Sequence, residues 1–379
     1  MRATSGAHFI ALDHVRALAA FMVFTWHFVH GGNGYPVPMG YAPVIFPFAL
    51  LDEGHSGVAL FMTLSGYLFA KLLDGKSVNY AIFLWNRMLR LLPLLTVALL
   101  IYGIRAVHGG MSLSTLSASI VEGTVLPTLP NGAWSLTVEF HYYAILPLFL
   151  WMIRKSRWLP LSIVAAAIML RISIYHYQGN IQYLAYWTII GRVDQFALGM
   201  LAFHFRTAFC RQHMLVATIL LLFSTFYWYL DLRGGSFGGP EWLWIFLPTI
   251  EGLAYAIGIS WYDASFSHST SGFSRFAGRI GEYSYSIYLL HVFFVFNAAN
   301  FVNTRIMDLS NFYVACLWSA ACFLVMMPIG YVSFRFIEAP FLGLRRAYVI
   351  SVSRDQEASA QVGQQQGTAV DALGCTSKS

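Results

Sequence analysis

Charge is what this sequence has least of. Lys, Arg, Asp and Glu make up 11% of its 379 residues, against about a quarter in soluble domains. With 58% hydrophobic residues and a mean hydropathy of +0.60, that scarcity excludes an ordinary soluble enzyme. Cysteine is sparse too: Cys210, Cys316, Cys322 and Cys375 lack metal-ligand spacing, so neither a zinc site nor a disulfide framework is expected. No HExxH, Walker A or GxGxxG string occurs, which removes zinc protease, NTPase and dinucleotide readings. A serine nucleophile would want a G-x-S-x-G elbow between a strand and a helix, and no such arrangement is expected. Period-2 alternation is missing from the apolar segments, which argues against a membrane barrel.

What remains is a set of long apolar runs. Ten have the length of a transmembrane helix: 9–30, 54–73, 89–107, 134–153, 158–176, 183–205, 213–230, 241–262, 283–302 and 312–336. Arg171 and Glu251 make the fifth and eighth the weakest. The connections alternate in charge. One side carries Lys71, Lys76, Arg87 and Arg90, then Arg154, Lys155 and Arg157, then Arg206 and Arg211, then Arg275 and Arg279, then Arg345 and Arg346; the other carries only Arg105, Arg233 and Arg305. The positive-inside rule therefore predicts an all-α polytopic membrane protein with ten spans and both termini cytoplasmic. The net charge of +6 reflects those loops, and no nucleic-acid partner is expected. Arg2 before an apolar run resembles a secretory signal, but Asp13, His14 and Arg16 interrupt it, so the run reads as a retained first span. Residues 1–346 form the membrane domain; 347–379, a Gln, Ser and Gly mixture, read as a disordered cytoplasmic tail. No repeat marks inverted transporter halves.

The costly residues inside the spans come next. In LDHVRALAAFMVFTWHFVH, Arg16 and His27 lie eleven residues apart, three helical turns, so they share a side about 16 Å apart along the axis. Intramembrane Arg and His point to a protein interior or polar path, although Arg16 could instead snorkel and pair with Asp13. Arg87 and Arg90 share a face at i, i+3 and could grip phosphates, or simply serve topology. Glu139, below Trp134, lies at a depth comparable to His27 and could orient it as a general base, or pair with an arginine. Arg192 and Asp194 read as members of a buried ion-pair network. His291 follows Ser284, Tyr285 and Tyr288 on one general side of the ninth span. Arg335 and Glu338 form an i, i+3 pair before a helix-stopping proline. Ser65 and Gly66 suggest close helix packing.

Taken in order, LDHVRALAAFMVFTWH, GVALFMTLSGYLF, RMLR, WSLTVEFHYYAILP, GRVDQFALGML, GEYSYSIYLLH and SFRFIEAPF resemble the bacterial membrane acyltransferase-3 family, from residue 12 to 343. His14 stands where the family often has glycine, and His141 and Tyr142 also depart from its pattern. The resemblance implies an inner-membrane O-acyltransferase, of the type without an SGNH extension, that moves an acyl group, most often acetyl, from cytoplasmic acetyl-CoA to a hydroxyl of a glycan or glycosylated acceptor. It implies His27 and Glu139 as catalytic and Arg16, Arg87 and Arg90 as donor-binding. Asp13, Ser65, Trp134, Arg192, Asp194, Tyr288 and His291 are candidate supporting residues, and no metal is expected. A transporter or flippase for a glycolipid or organic anion is the competing class; it would consume no acyl-CoA.

Overall fold

A computed structural model describes residues 9–31 and 34–350. In lipid every backbone polar group must be satisfied within its own segment, so apolar runs become helices. Those used below are α1 (Ile10–His30), α2 (Gly57–Leu73), α3 (Tyr80–His108), α4 (Leu113–Val125), α5 (Trp134–Lys155), α6 (Leu161–Gln178), α7 (Gln182–Trp187), α8 (Ile189–His204), α9 (His213–Asp231), α10 (Leu243–Ser265), α11 (Gly272–Glu282), α12 (Ser284–Leu290), α13 (Val295–Arg305) and α14 (Phe312–Ser333). All ten expected runs are helical. Among the described residues, seven helices are long and apolar enough to cross a bilayer, or eight if the bent α12–α13 pair counts as one span. The chain is an all-α polytopic membrane protein. By length and composition α1 and α8 fall outside that set, α1 because it carries polar side chains and α8 because it is short.

Polar caps mark several helix starts. The Asn79 side chain accepts from Ile82 N at the head of α3, and Asn311 accepts from Tyr313 N and Val314 N at the head of α14, satisfying amides with no intrahelical partner. Helix α2 lies at the centre against α1, α8 and α10. It packs there backbone to backbone: a Cβ on Gly66 would sit 2.1 Å from Phe196 O, and one on Gly199 1.9 Å from Thr63 O. The close packing expected at Ser65–Gly66 is therefore realised by glycines on both partners.

The intruding charges of the two weakest runs find each other's neighbours. Arg171 on α6 donates to Asp194 on α8 at 2.7 Å, both fully buried. Arg192 on α8 faces Glu251 on α10 at 3.5 Å, and Glu251 also accepts from Tyr227 at 2.5 Å. Arg192 and Asp194 thus both belong to a buried ion-pair network, as expected. Each reaches a different helix.

Three further expectations change. Glu338 is not paired with Arg335, which is exposed; it accepts from Arg90 at 2.8 Å and from Ser286. Pro340 does not stop the last helix, because wide π-type turns over Phe334–Glu338 lead into a further turn at Ala339–Leu342. The tail also begins later than 346: Val349–Ile350 pair antiparallel with Ser77–Val78, so residues 347–350 belong to the fold. Among the described residues, Cys316 and Cys322 are buried free thiols.

Candidate active site

A cavity of about 110 Å³ lies within the helix bundle. Four of the residues singled out in the sequence line it together: Arg16 from α1, Arg87 and Arg90 from α3, and Glu139 from α5. Ser65 and Tyr288 line it as well. At its inner end, in the orientation the loop charges imply, Arg87 stacks on Phe69 and Phe83 at 5.2 and 5.3 Å, and Arg90 lies over Tyr285 at 5.6 Å. Aromatic faces stabilise guanidiniums while leaving their edges free to bind. Arg16 contacts Asp13 three residues earlier on α1, the local pair that helix geometry offers. It lines the cavity all the same.

Glu139 is not where the sequence placed its partner. It accepts from Tyr143, one turn further along α5, and shares the cavity with the three arginines. His27 does not line that cavity, so Glu139 does not orient it. The i, i+4 spacing of Glu139 and Tyr143 is the sequence signal for this pair.

His27 is held by another histidine. Its Nδ1 lies 2.8 Å from the Val23 carbonyl and 3.3 Å from His291 Nε2. The Nδ1 of His291 lies 2.5 Å from the Tyr288 carbonyl. Carbonyls only accept, so in the neutral rings both Nδ1 atoms carry hydrogen. The single His27 Nδ1 hydrogen is then shared between the Val23 carbonyl and, more weakly, His291 Nε2, and His27 Nε2 keeps its lone pair as the basic nitrogen. The bend of 56° between the Ser284–Phe293 and Val295–Arg305 segments falls beside His291. Trp26 and Phe296 pack on the His27 ring at 4.8 and 5.7 Å.

Tyr288 joins the two halves of the site. Its ring lines the cavity, its carbonyl fixes His291, and its hydroxyl bonds Ser135 at 2.8 Å. Trp134 stands next to Ser135 and packs on Tyr186 and Trp187 at 5.4 and 4.6 Å, while Arg192 lies 4.7 Å over Tyr186. Arg192 and Asp194 thus brace the wall and do not reach the cavity. Sequence reasoning missed Ser135 and Tyr143 as lining groups. Ser135 is a small polar residue and Tyr143 one aromatic among several, so neither stands out in that segment.

The spacing G-x-S-x-G does occur, as Gly234-Gly235-Ser236-Phe237-Gly238, but between helices rather than after a strand. Ser236 is fully buried; its hydroxyl donates to Glu53 at 2.5 Å, and His55 Nε2 approaches the same carboxylate at 2.6 Å. With acid and serine on one imidazole nitrogen, no relay runs through His55. Outside the spans, desolvation opposes ionisation of Glu53, yet His55 and Ser236 outweigh it and hold the carboxyl below its ordinary value.

The family model for the acyltransferase-3 "Acyltransferase domain" matches residues 9–334. The chain belongs to the acyltransferase-3 family. No curated protein and no solved structure matches it significantly. As a membrane acyltransferase, it carries its arginine cavity and its histidine pair wholly within the matched span, whereas Glu338 and the 349–350 strand lie beyond it.

Proposed function

We propose that this acyltransferase moves an acyl group, most simply acetyl, from cytoplasmic acyl-CoA to a hydroxyl of a glycan or glycosylated acceptor at the bacterial inner membrane. One observation carries the reading: four helix-borne ionisable groups, Arg16, Arg87, Arg90 and Glu139, line a single intramembrane cavity that Tyr288 links to His27 through His291. Charged groups at that depth are costly and mark ligand paths. In this reading the arginines take the donor's phosphates, and Glu139 balances their charge. His27 Nε2 accepts the proton of the acceptor hydroxyl as its oxygen attacks the thioester carbonyl. The C–S bond breaks, and the departing thiolate takes the proton back from His27, so the residue is regenerated. No metal enters this scheme.

Replacement of His27 tests this directly. His27→Ala, at wild-type abundance in the membrane, should lower acyl transfer to the surface glycan by about 10²-fold or more, read as lost acyl mass by mass spectrometry. Transfer at the wild-type rate would remove His27 from the mechanism. Movement of a glycolipid without consumption of acyl-CoA would mark a carrier instead.

A further inference from the structure

The last described residues form a strap that the family match does not cover. After Leu342 the chain turns back over the inner end of α3. Val349–Ile350 pair with Ser77–Val78, and Asn79 N donates to Tyr348 O at 2.8 Å. Asn86 brackets residue 346 from both sides: its Nδ2 donates to Arg346 O at 2.7 Å and its Oδ1 accepts from Arg346 N at 3.1 Å. Tyr348 is buried beside Phe83, with ring centroids 5.6 Å apart. Every anchor lies on or just before the opening turns of the helix that carries Arg87 and Arg90. The strap is a positioned element.

What it positions is Arg345. This half-buried side chain has Nε and Nη2 buried without hydrogen-bond partners, and Arg87 Nε is buried and unpartnered too. Burial, then the nearby Arg87 and Arg90 cations, push Arg345 down to about 9. Glu338 answers Arg90, which leaves an excess of positive charge. Like charges and orphaned N–H groups held together by dedicated bonds are unfavourable in the empty protein, and an anion with several acceptor oxygens would satisfy both at once.

We propose that Arg345, carried on this C-terminal strap, completes with Arg87 and Arg90 a three-guanidinium clamp for phosphate groups of the acyl donor. The proposal rests on the donor reading above and adds a residue outside the family match. Arg345 does not line the cavity; it precedes Arg346, whose backbone is bonded to Asn86, the residue before Arg87, and the Arg87 and Arg90 charges act on it. It holds the phosphate end while the thioester lies deeper.

The test uses the full chain in detergent or nanodiscs, with CoA binding measured by calorimetry for wild type, Arg345→Ala, Arg345→Lys and Asn86→Ala. Arg345→Ala should weaken CoA about tenfold or more, Arg345→Lys should recover part of that, and Asn86→Ala, which releases the strap, should weaken it in the same direction. The KM for acetyl-CoA should rise with kcat unchanged, while turnover of S-acetylpantetheine, which lacks the phosphates, stays as in wild type. The ligand-free Tm of Arg345→Ala should not fall, because a repelling cation has been removed. If wild type binds CoA and both Arg345 variants bind it equally well, the clamp is wrong and the donor reading stands. If wild type binds no CoA, both fall. Equal losses with both acyl donors and a lowered Tm would make the strap a structural tie only.

Discussion

At the scale of single residues, the decisive pairings are His27 with His291 and Glu139 with Tyr143. The two acid–base candidates sit in different surroundings, and their variants should therefore fail differently. His291→Gln removes the group that accepts from His27 Nδ1 and loosens the base, so kcat should fall with the donor KM nearly unchanged. Glu139→Gln removes a negative charge from a cavity lined by three arginines, so the donor KM should fall severalfold, with a smaller loss of kcat than in His291→Gln. Steady-state kinetics on both variants separates the roles; a kcat loss confined to Glu139→Gln would restore the carboxylate as the orienting partner. From the sequence, Arg16, Arg87, Arg90 and Glu139 were legible as a group because each is expensive in lipid. That His27 faces His291 rather than Glu139 was not, because a contact between residues 264 positions apart leaves no local pattern.

At the scale of elements, α6, α8 and α10 are joined by the ion pairs Arg171–Asp194 and Arg192–Glu251. A buried pair that loses one member leaves an uncompensated charge, at a cost of about 3–5 kcal/mol, whereas replacing both members with apolar groups is often neutral or better. Arg171→Leu alone should therefore sharply lower the Tm in detergent, and Arg171→Leu with Asp194→Leu should recover most of it. A double variant as unstable as the single one would mean that the pair is not the tie between α6 and α8. These pairings show where local reasoning held and where it failed. The i, i+3 rule found Arg16 with Asp13, on one helix. It misplaced Glu338, which the fold buries against Arg90 on another helix, 248 positions away, because a fully buried carboxylate takes the strongest donor within reach while Arg335 turns outward.

At the scale of the whole molecule, the helical fold was legible because lipid permits so few alternatives to helices. Every apolar run became helical, and the intruding Arg171 and Glu251 turned out to be paired rather than disqualifying. The 182–204 stretch was less legible: a break at Thr188 divides it, and composition alone does not reveal such a break. Loop charge predicts the orientation, and this is directly testable. Alkaline phosphatase fused after Gly110 should be active on the outer side, whereas a fusion after Ser379 should be inactive, with both termini cytoplasmic; activity at Ser379 would invert or renumber the spans.

The strap also has a consequence in time. Asn86 and Arg346 are 260 positions apart, and a ribosome adding about 5–20 residues per second needs roughly 13–52 seconds to bring the second after the first. For most of that interval α3 (Tyr80–His108) is already made, with Arg87 and Arg90 awaiting both Glu338 and the strap. The inner mouth is thus among the last parts of the protein to be assembled. A chain released early, even one with every long helix present, would leave the ribosome with that mouth open.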